Sequence, residues 1–153
     1  MVRPPGEVVY AEELAALAAT DNNTRPQGWK LSPRAVRQFI VGADSAVPHT
    51  WQGAKKKTTI TQKFYGDDAL VERCIVTLLG NRGLLLVGEP GTAKSMLSEL
   101  LSAAISGNSL LTIQGTAGTT DDQIKYSWNY ALLLAEGPTP RALVASPLPG
   151  SWR

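Results

Sequence analysis

A single cysteine, Cys74, and a single histidine, His49, stand in a chain of 153 residues. One cysteine excludes a disulfide framework within the chain and favours a reducing, intracellular setting. With no second histidine and no cysteine at ligand spacing from His49, nothing points to a transition-metal site. No apolar run approaches the roughly 20 residues that span a bilayer, and Met1-Val2-Arg3-Pro4-Pro5-Gly6 lacks the apolar stretch of a signal peptide. The expected location is the cytoplasm. An excess of charge is missing too. The formal net charge is +2, too small to argue for nucleic acid or a membrane surface as a general partner. There is no internal repeat and no low-complexity tract. What is present is ordinary: 43% hydrophobic and 18% charged residues, in a length that suits one domain with a real core.

Along the chain, Tyr10, Leu14, Leu17 and Ala18 share one face of a helical stretch ending near Thr20. The polar run Asp21–Gly28 breaks it and reads as a linker. Ser32 before Pro33 marks a helix start with the stripe Val36, Phe39, Ile40, and Gly42 ends it. From Ala43 to Lys57 the pattern has no clear period and reads as a mobile loop. Thr58-Thr59-Ile60-Thr61 is β-branched and reads as a short edge strand. Asp67 or Asp68 caps a helix carrying Val71, Cys74, Ile75, Leu78 and Leu79. Gly80-Asn81-Arg82-Gly83 turns the chain into Leu84-Leu85-Leu86-Val87, a continuous apolar run suited to a strand buried on both faces. A helix from about Lys94 to Ile105 follows, then Leu110-Leu111-Thr112-Ile113 as a second strand. Thr119 or Thr120 then caps a helix bearing Ile124, Trp128, Ala131, Leu132 and Ala135. Ala142-Leu143-Val144 reads as one more short strand. Alternating strands and helices predict an α/β fold with a parallel sheet and flanking helices, incomplete at its C-terminal end.

Between the first predicted strand and its helix lies Gly88-Glu89-Pro90-Gly91-Thr92-Ala93-Lys94-Ser95. The pattern G-x-x-x-x-G-K-[ST] in that setting is a phosphate cradle: glycines let the backbone approach, and the helix adds the positive end of its dipole. Lys94 reaches the β- and γ-phosphates of a nucleotide and the Ser95 hydroxyl ligates Mg²⁺. Ala93 stands where the second glycine is usual; a methyl group at the helix start is small, and glycine is not obviously required there.

These residues resemble the MoxR-like AAA+ ATPases, P-loop NTPases whose loop takes the form G-x-P-G-x-A-K-[ST], alanine included. The likeness continues through Leu97-Ser98-Glu99, Ala103–Gly107, Gln114–Thr119 and Trp128–Ala131. Upstream it takes in Trp29–Pro33 and Tyr65-Gly66-Asp67, and it fades after Pro147. The resemblance implies ATP and Mg²⁺ as cofactors, Tyr65 and Gly66 near the adenine base, and protein remodelling driven by ATP hydrolysis. It also implies a homo-oligomeric ring, a hexamer, acting with a protein partner. It divides the chain into a helical segment and loop (1–57), the N-terminal part of an ATP-binding domain (58–147) and a non-matching tail (148–153).

Hydrolysis also needs an acidic pair at the end of a later apolar strand, to hold Mg²⁺ and orient water. After Lys94 the only acidic doublet, Asp121-Asp122, follows Gly118-Thr119-Thr120 rather than a strand. Leu132–Glu136 continues a helical stripe, and Ala142–Ala145 ends without an acid. The expectation is a Walker A loop without a Walker B strand, in an amino-terminal fragment cut short by a frameshift; the alternative is a natural short protein with a frayed end. Reading the coding DNA past codon 153 in all three frames tests that. The other readings are a non-catalytic nucleotide-binding module and a helical domain, residues 10–42, that binds protein or DNA. Lys55-Lys56-Lys57 with Lys63 reads as a solvated loop, Cys74 as inert core, and Trp128 as core; the four tryptophans do not interleave with basic residues.

Overall fold

The computed structural model describes residues 3–113, 115–120 and 126–145. It divides into two compact units, Met1–Ser109 and Leu110–Arg153.

The first unit is built on helices. The short α1 (Gly6–Val9) leads into α2 (Ala11–Thr20), and α3 (Pro33–Val41) starts as its sequence dictates, with Ser32 Oγ accepting from Ala35 N–H and proline in the first turn. Gly42 ends α3 at φ 96°, a left-handed value that favours glycine. Asp67 caps α4 (Asp68–Leu79) through Ala69 N–H, and α5 runs Lys94–Ile105. Their apolar stripes meet in one core: Leu17, Leu31, Val36, Phe39, Ile40, Ile60, Val71, Cys74, Ile75, Leu97, Leu100, Leu101 and Ala104 are all buried. Burial raises the Cys74 thiol's pKa, in keeping with an inert core residue.

Residues 43–57, expected as a mobile loop, instead hold an antiparallel hairpin. β1 (Val47–Trp51) pairs with β2 (Ala54–Thr58), with Trp51 opposite Ala54 and Val47 opposite Thr58. Gln52 and Gly53 form its two-residue turn with φ 50° and 80°, the positive pair that such tight hairpins require. The expected edge strand therefore ends at Thr58, and Ile60 drops into the core. Among the described residues β2 pairs with β1 alone. Three lysines on an open edge discourage another chain from pairing there.

Lys63 is not solvated as expected. Its ammonium donates to Glu13 Oε2 at 2.6 Å and to the carbonyls of Phe39 and Thr61, both at 2.9 Å. It also lies 4.3 Å from the Phe39 ring centroid and 4.8 Å from that of Tyr10. Burial pushes its pKa below the ordinary lysine value, while the hydrogen bond and charge of Glu13 act in the opposite sense. Glu13 also accepts from Thr61 N–H and its hydroxyl, so this pair staples α2 to the segment after the hairpin.

Asp21, read as the start of a linker, organises one. Its carboxylate, 1% exposed, accepts from Ser32 N–H and Ser32 Oγ, both at 2.7 Å, and from Asn23. Burial acts to raise its pKa, but these hydrogen bonds outweigh that and leave it below the ordinary value.

The predicted parallel sheet is not present among the described residues, whose sheets are two antiparallel pairs. Residues 84–87 and 110–113 join no ladder. A strand needs a hydrogen-bonded neighbour, and none of the described residues supplies one. Residues 84–87 are also not buried on both sides. Leu84 and Leu86 pack on the core, whereas Leu85 and Val87 are 85% and 84% exposed.

In the second unit β3 (Tyr126–Trp128) pairs antiparallel with β4 (Leu143–Ala145), Trp128 opposite Leu143. Asn129 then caps α6 (Tyr130–Glu136) by accepting from Ala131 and Leu132 N–H. The single helix expected from Thr119 or Thr120 to Ala135 is thus a strand followed by a shorter helix, because the Asn129 side chain starts the helix there. Trp128, expected as core, is half-buried; Ile124 lies outside the described residues. The strand expected at Ala142–Val144 forms, shifted by one residue.

Two outcomes follow. Lys63→Ala leaves Glu13 without its buried partner and should lower the unfolding free energy by about 3 kcal/mol in urea titration. For Asp21, a depressed folded-state pKa means stability held at neutral pH is lost as pH falls through that value. The thermal midpoint should therefore decline on acidification below the aspartate range, and decline less in Asp21→Asn.

Candidate phosphate-binding site

The loop Gly88–Ser95 is carried by α5, whose place is set by what its buried face meets. Leu97, Leu100, Leu101 and Ala104 lie in the core beside Val36, Phe39 and Ile40 of α3. The far end is tied down as well. Lys30 N–H donates to Ile105 O at 2.7 Å. Glu7 accepts from Ser109 N–H at 3.1 Å and from its hydroxyl at 2.6 Å.

At its start α5, like α1 and α2, has no side-chain cap, whereas α4 and α6, the described helices on either side of it, do. Ser32, Asp67 and Asn129 cap α3, α4 and α6 with side-chain oxygens; the residue at that position of α5 is Ala93, which has none. The first-turn N–H groups of an uncapped helix are unsatisfied donors at the positive end of the dipole, and an anion is their natural acceptor. The sequence signal was there: a non-capping residue at the head of a twelve-residue helix.

Ala93 itself corrects the sequence reading. It has φ 56° and ψ 20°, in the left-handed region, so the position does favour glycine and the methyl group is strained there. Gly91, at φ 81°, is the other left-handed residue of the loop, and a Cβ there would meet nothing within 4 Å.

Lys94 is folded back across the loop. Its ammonium donates to Gly88 O and to Thr92 Oγ1, both at 2.9 Å, and to Glu89 O. The Thr92 hydroxyl in turn donates to Glu89 O at 2.8 Å. A Cβ on Gly88 would stand 3.6 Å from Thr92 Oγ1 and 3.8 Å from Lys94 Nζ, ordinary contact distances that place Gly88 beside both side chains. The loop thus gathers a cation, a hydroxyl and an uncapped helix end, with Lys94 held on the loop's own carbonyls. Thr92 belongs to the loop the sequence singled out; what the structure adds is its hydroxyl, which bonds both Lys94 and Glu89 O. Glu89, Pro90 and Ser95 are exposed.

The structure brings residues 88–95 together and does not add Tyr65 or Gly66 to them. Tyr65 is 81% exposed. Gly66 has a packing reason for being glycine: a Cβ would lie 2.7 Å from Phe64 Cε1, in a ring that helps close the core. Two surface hollows of about 430 and 450 Å³ lie over α2–α3 and along the hairpin, and no residue of the loop lines either. Asp121 and Asp122 lie outside the described residues. After Lys94 the described carboxylates are Glu99 on α5 and Glu136 at the end of α6, neither on a strand.

Residues 83–149, which include the whole loop, match the family model of the AAA domain, dynein-related subfamily. That match supports an AAA+ ATPase relationship, and with it a P-loop α/β fold, for this part of the chain. Over 146 residues, 95% of the chain, the sequence is 54% identical to the uncharacterized protein YehL of Escherichia coli strain K12. The chain spans 37% of that protein's length. No solved structure matches it.

Replacing Ala93 by glycine removes the left-handed strain. Ala93→Gly should raise stability by about 1 kcal/mol, and Ala93→Val should lower it, as read from denaturant midpoints.

Proposed function

We propose that Gly88–Ser95 is a Mg-ATP site and that the chain is part of a MoxR-type AAA+ ATPase. The observation that carries this reading is the convergence of Lys94 and Thr92 on the loop at the uncapped start of α5. In this reading the loop amides and Lys94 hold the β- and γ-phosphates, and Ser95 offers its hydroxyl to Mg²⁺, which supplies charge neutralisation of the phosphate oxygens. Lys94 has to leave the carbonyls of Gly88 and Glu89 for phosphate, exchanging neutral acceptors for charged ones. Residues 58–147 form the nucleotide-binding part, with 1–57 as a helical segment before it and 148–153 as a tail.

The whole protein would couple ATP hydrolysis to remodelling of a protein partner, as a homo-oligomeric ring in the cytoplasm. For residues 1–153 alone we favour binding without turnover, because the described carboxylates after the loop sit on helices rather than on a strand facing it. The test is a calorimetric titration with Mg-ATP. Lys94→Ala should weaken binding about tenfold or more, the worth of a charge-assisted hydrogen bond, and Ser95→Ala should remove most of the Mg²⁺ dependence. Unchanged affinity in Lys94→Ala overturns the site. Appreciable Lys94-dependent release of phosphate by this chain overturns the absence of turnover.

A further inference from the structure

His49 is the one histidine of the sequence, and its side chain is 0% exposed. It sits in the middle of β1, opposite Lys56 on β2, and faces α2. A neutral imidazole carries one N–H and one lone pair, so a buried neutral ring is satisfied by one acceptor and one donor. The surroundings of His49 do not offer that pair. Nδ1 lies 3.4 Å from the carbonyl oxygen of Val47, an acceptor. Nε2 lies 3.8 Å from Glu12 Oε1, a second acceptor, and has no hydrogen-bond partner. Only the doubly protonated ring has two N–H groups to match two acceptors.

The groups facing His49 from the packed elements are few. From α2 there is Glu12, which is 37% exposed and accepts from Thr58 Oγ1 at 2.7 Å. From β2 there is Lys56, whose ammonium is 4.0 Å from the same Glu12 oxygen. From β1 itself the Trp51 ring lies 6.5 Å away, centroid to centroid. One carboxylate therefore stands between the hairpin's histidine and one of its lysines, and is already hydrogen-bonded to the hairpin's last residue. The gap of 3.8 Å is about 1 Å more than a charge-assisted N–H···O bond. A small approach of β1 to α2 closes it.

We propose that His49 and Glu12 form a proton-operated latch between the β1–β2 hairpin and α2. With the ring neutral, Nε2 has no partner and the hairpin is held by Thr58 and Lys56 on Glu12. With the ring protonated, Nε2–H donates to Glu12, Nδ1–H keeps Val47, and the hairpin draws onto the helix. The face turned outward, with Thr50, Lys55 and Lys57, then stands on a firmer base; these residues alternate along the strands with the inward His49 and Lys56.

The test uses the full chain and two readouts. Long-range ¹H–¹⁵N spectra of the ring follow the two nitrogens of His49 between pH 8 and pH 5. The expected result is a pyridine-like nitrogen at high pH that becomes pyrrole-like at low pH. Amide exchange, corrected for its intrinsic pH dependence, should show hairpin protection rising about tenfold over the same interval. The amides of α5 serve as the internal reference. Glu12→Gln, at a half-exposed site, should fold normally and lose most of that rise, and His49→Gln should lose all of it. A ring that stays neutral to pH 5, hairpin protection that does not change with pH, or a Glu12→Gln variant that keeps the full rise overturns the latch.

Discussion

The loop at residues 88–95 is knit internally by the Lys94 and Thr92 side chains. Two of its residues take left-handed conformations. What fixes its place is the burial of one face of α5, where Leu97 and Leu100 are 1% exposed and Ala104 is fully buried. A buried leucine is worth roughly 2 kcal/mol in transfer from water, and α5 commits three of them, Leu97, Leu100 and Leu101, to the same core as α3. The helices before the loop are therefore part of the site's support. They fix the line along which α5 points, and so where its uncapped end presents donors. Glu7, reaching from α1 to Ser109, ties the far end of the same helix-and-turn segment.

Interactions spanning a few residues were legible in the sequence. Ser32 with Pro33, Asp67, and the stop at Ser106-Gly107 each gave a helix boundary that the structure reproduces, since a cap depends on its own neighbours. The stripes of α3, α4 and α5 were equally plain. What could not be read were pairings between distant residues. Lys63 looked like another surface lysine because Glu13, its partner, is 50 residues earlier. The hairpin was missed because Gln52-Gly53 is a weak turn signal beside Asn-Gly, and because Lys55-Lys56-Lys57 lacks the apolar alternation that marks a strand packed on a core. Within the candidate site the residue types were legible, but the backbone angle at Ala93 was not; a side chain's identity does not reveal its φ.

The run Leu84–Val87 shows how far local pattern carries. Four apolar residues before a phosphate loop read as a strand, and their side chains do alternate, Leu84 and Leu86 toward the core and Leu85 and Val87 away from it. Yet a parallel strand is defined by neighbours that come from elsewhere in the chain, across crossover connections of a dozen residues or more. Without them the segment keeps one packed face and offers the other, with its backbone groups, to whatever strand can pair there. The match to an AAA domain over residues 83–149 supports a P-loop α/β fold for this part of the chain.

That geometry bears on how the loop could act. A phosphate cradle at the end of a strand is held from two sides, by the helix after it and by the sheet before it. Here the helix side is complete, with α5 packed on α3 and tied to Lys30, and the described residues supply no sheet side. In the proposed site, binding of phosphate would depend mainly on the helix end, the glycines and Lys94, which α5 positions. Orientation of an attacking water needs a carboxylate carried by a neighbouring strand, and none of the described residues supplies one. In the proposed site the two functions therefore rest on different elements, so affinity for a nucleotide and its turnover are independent measurements on this chain.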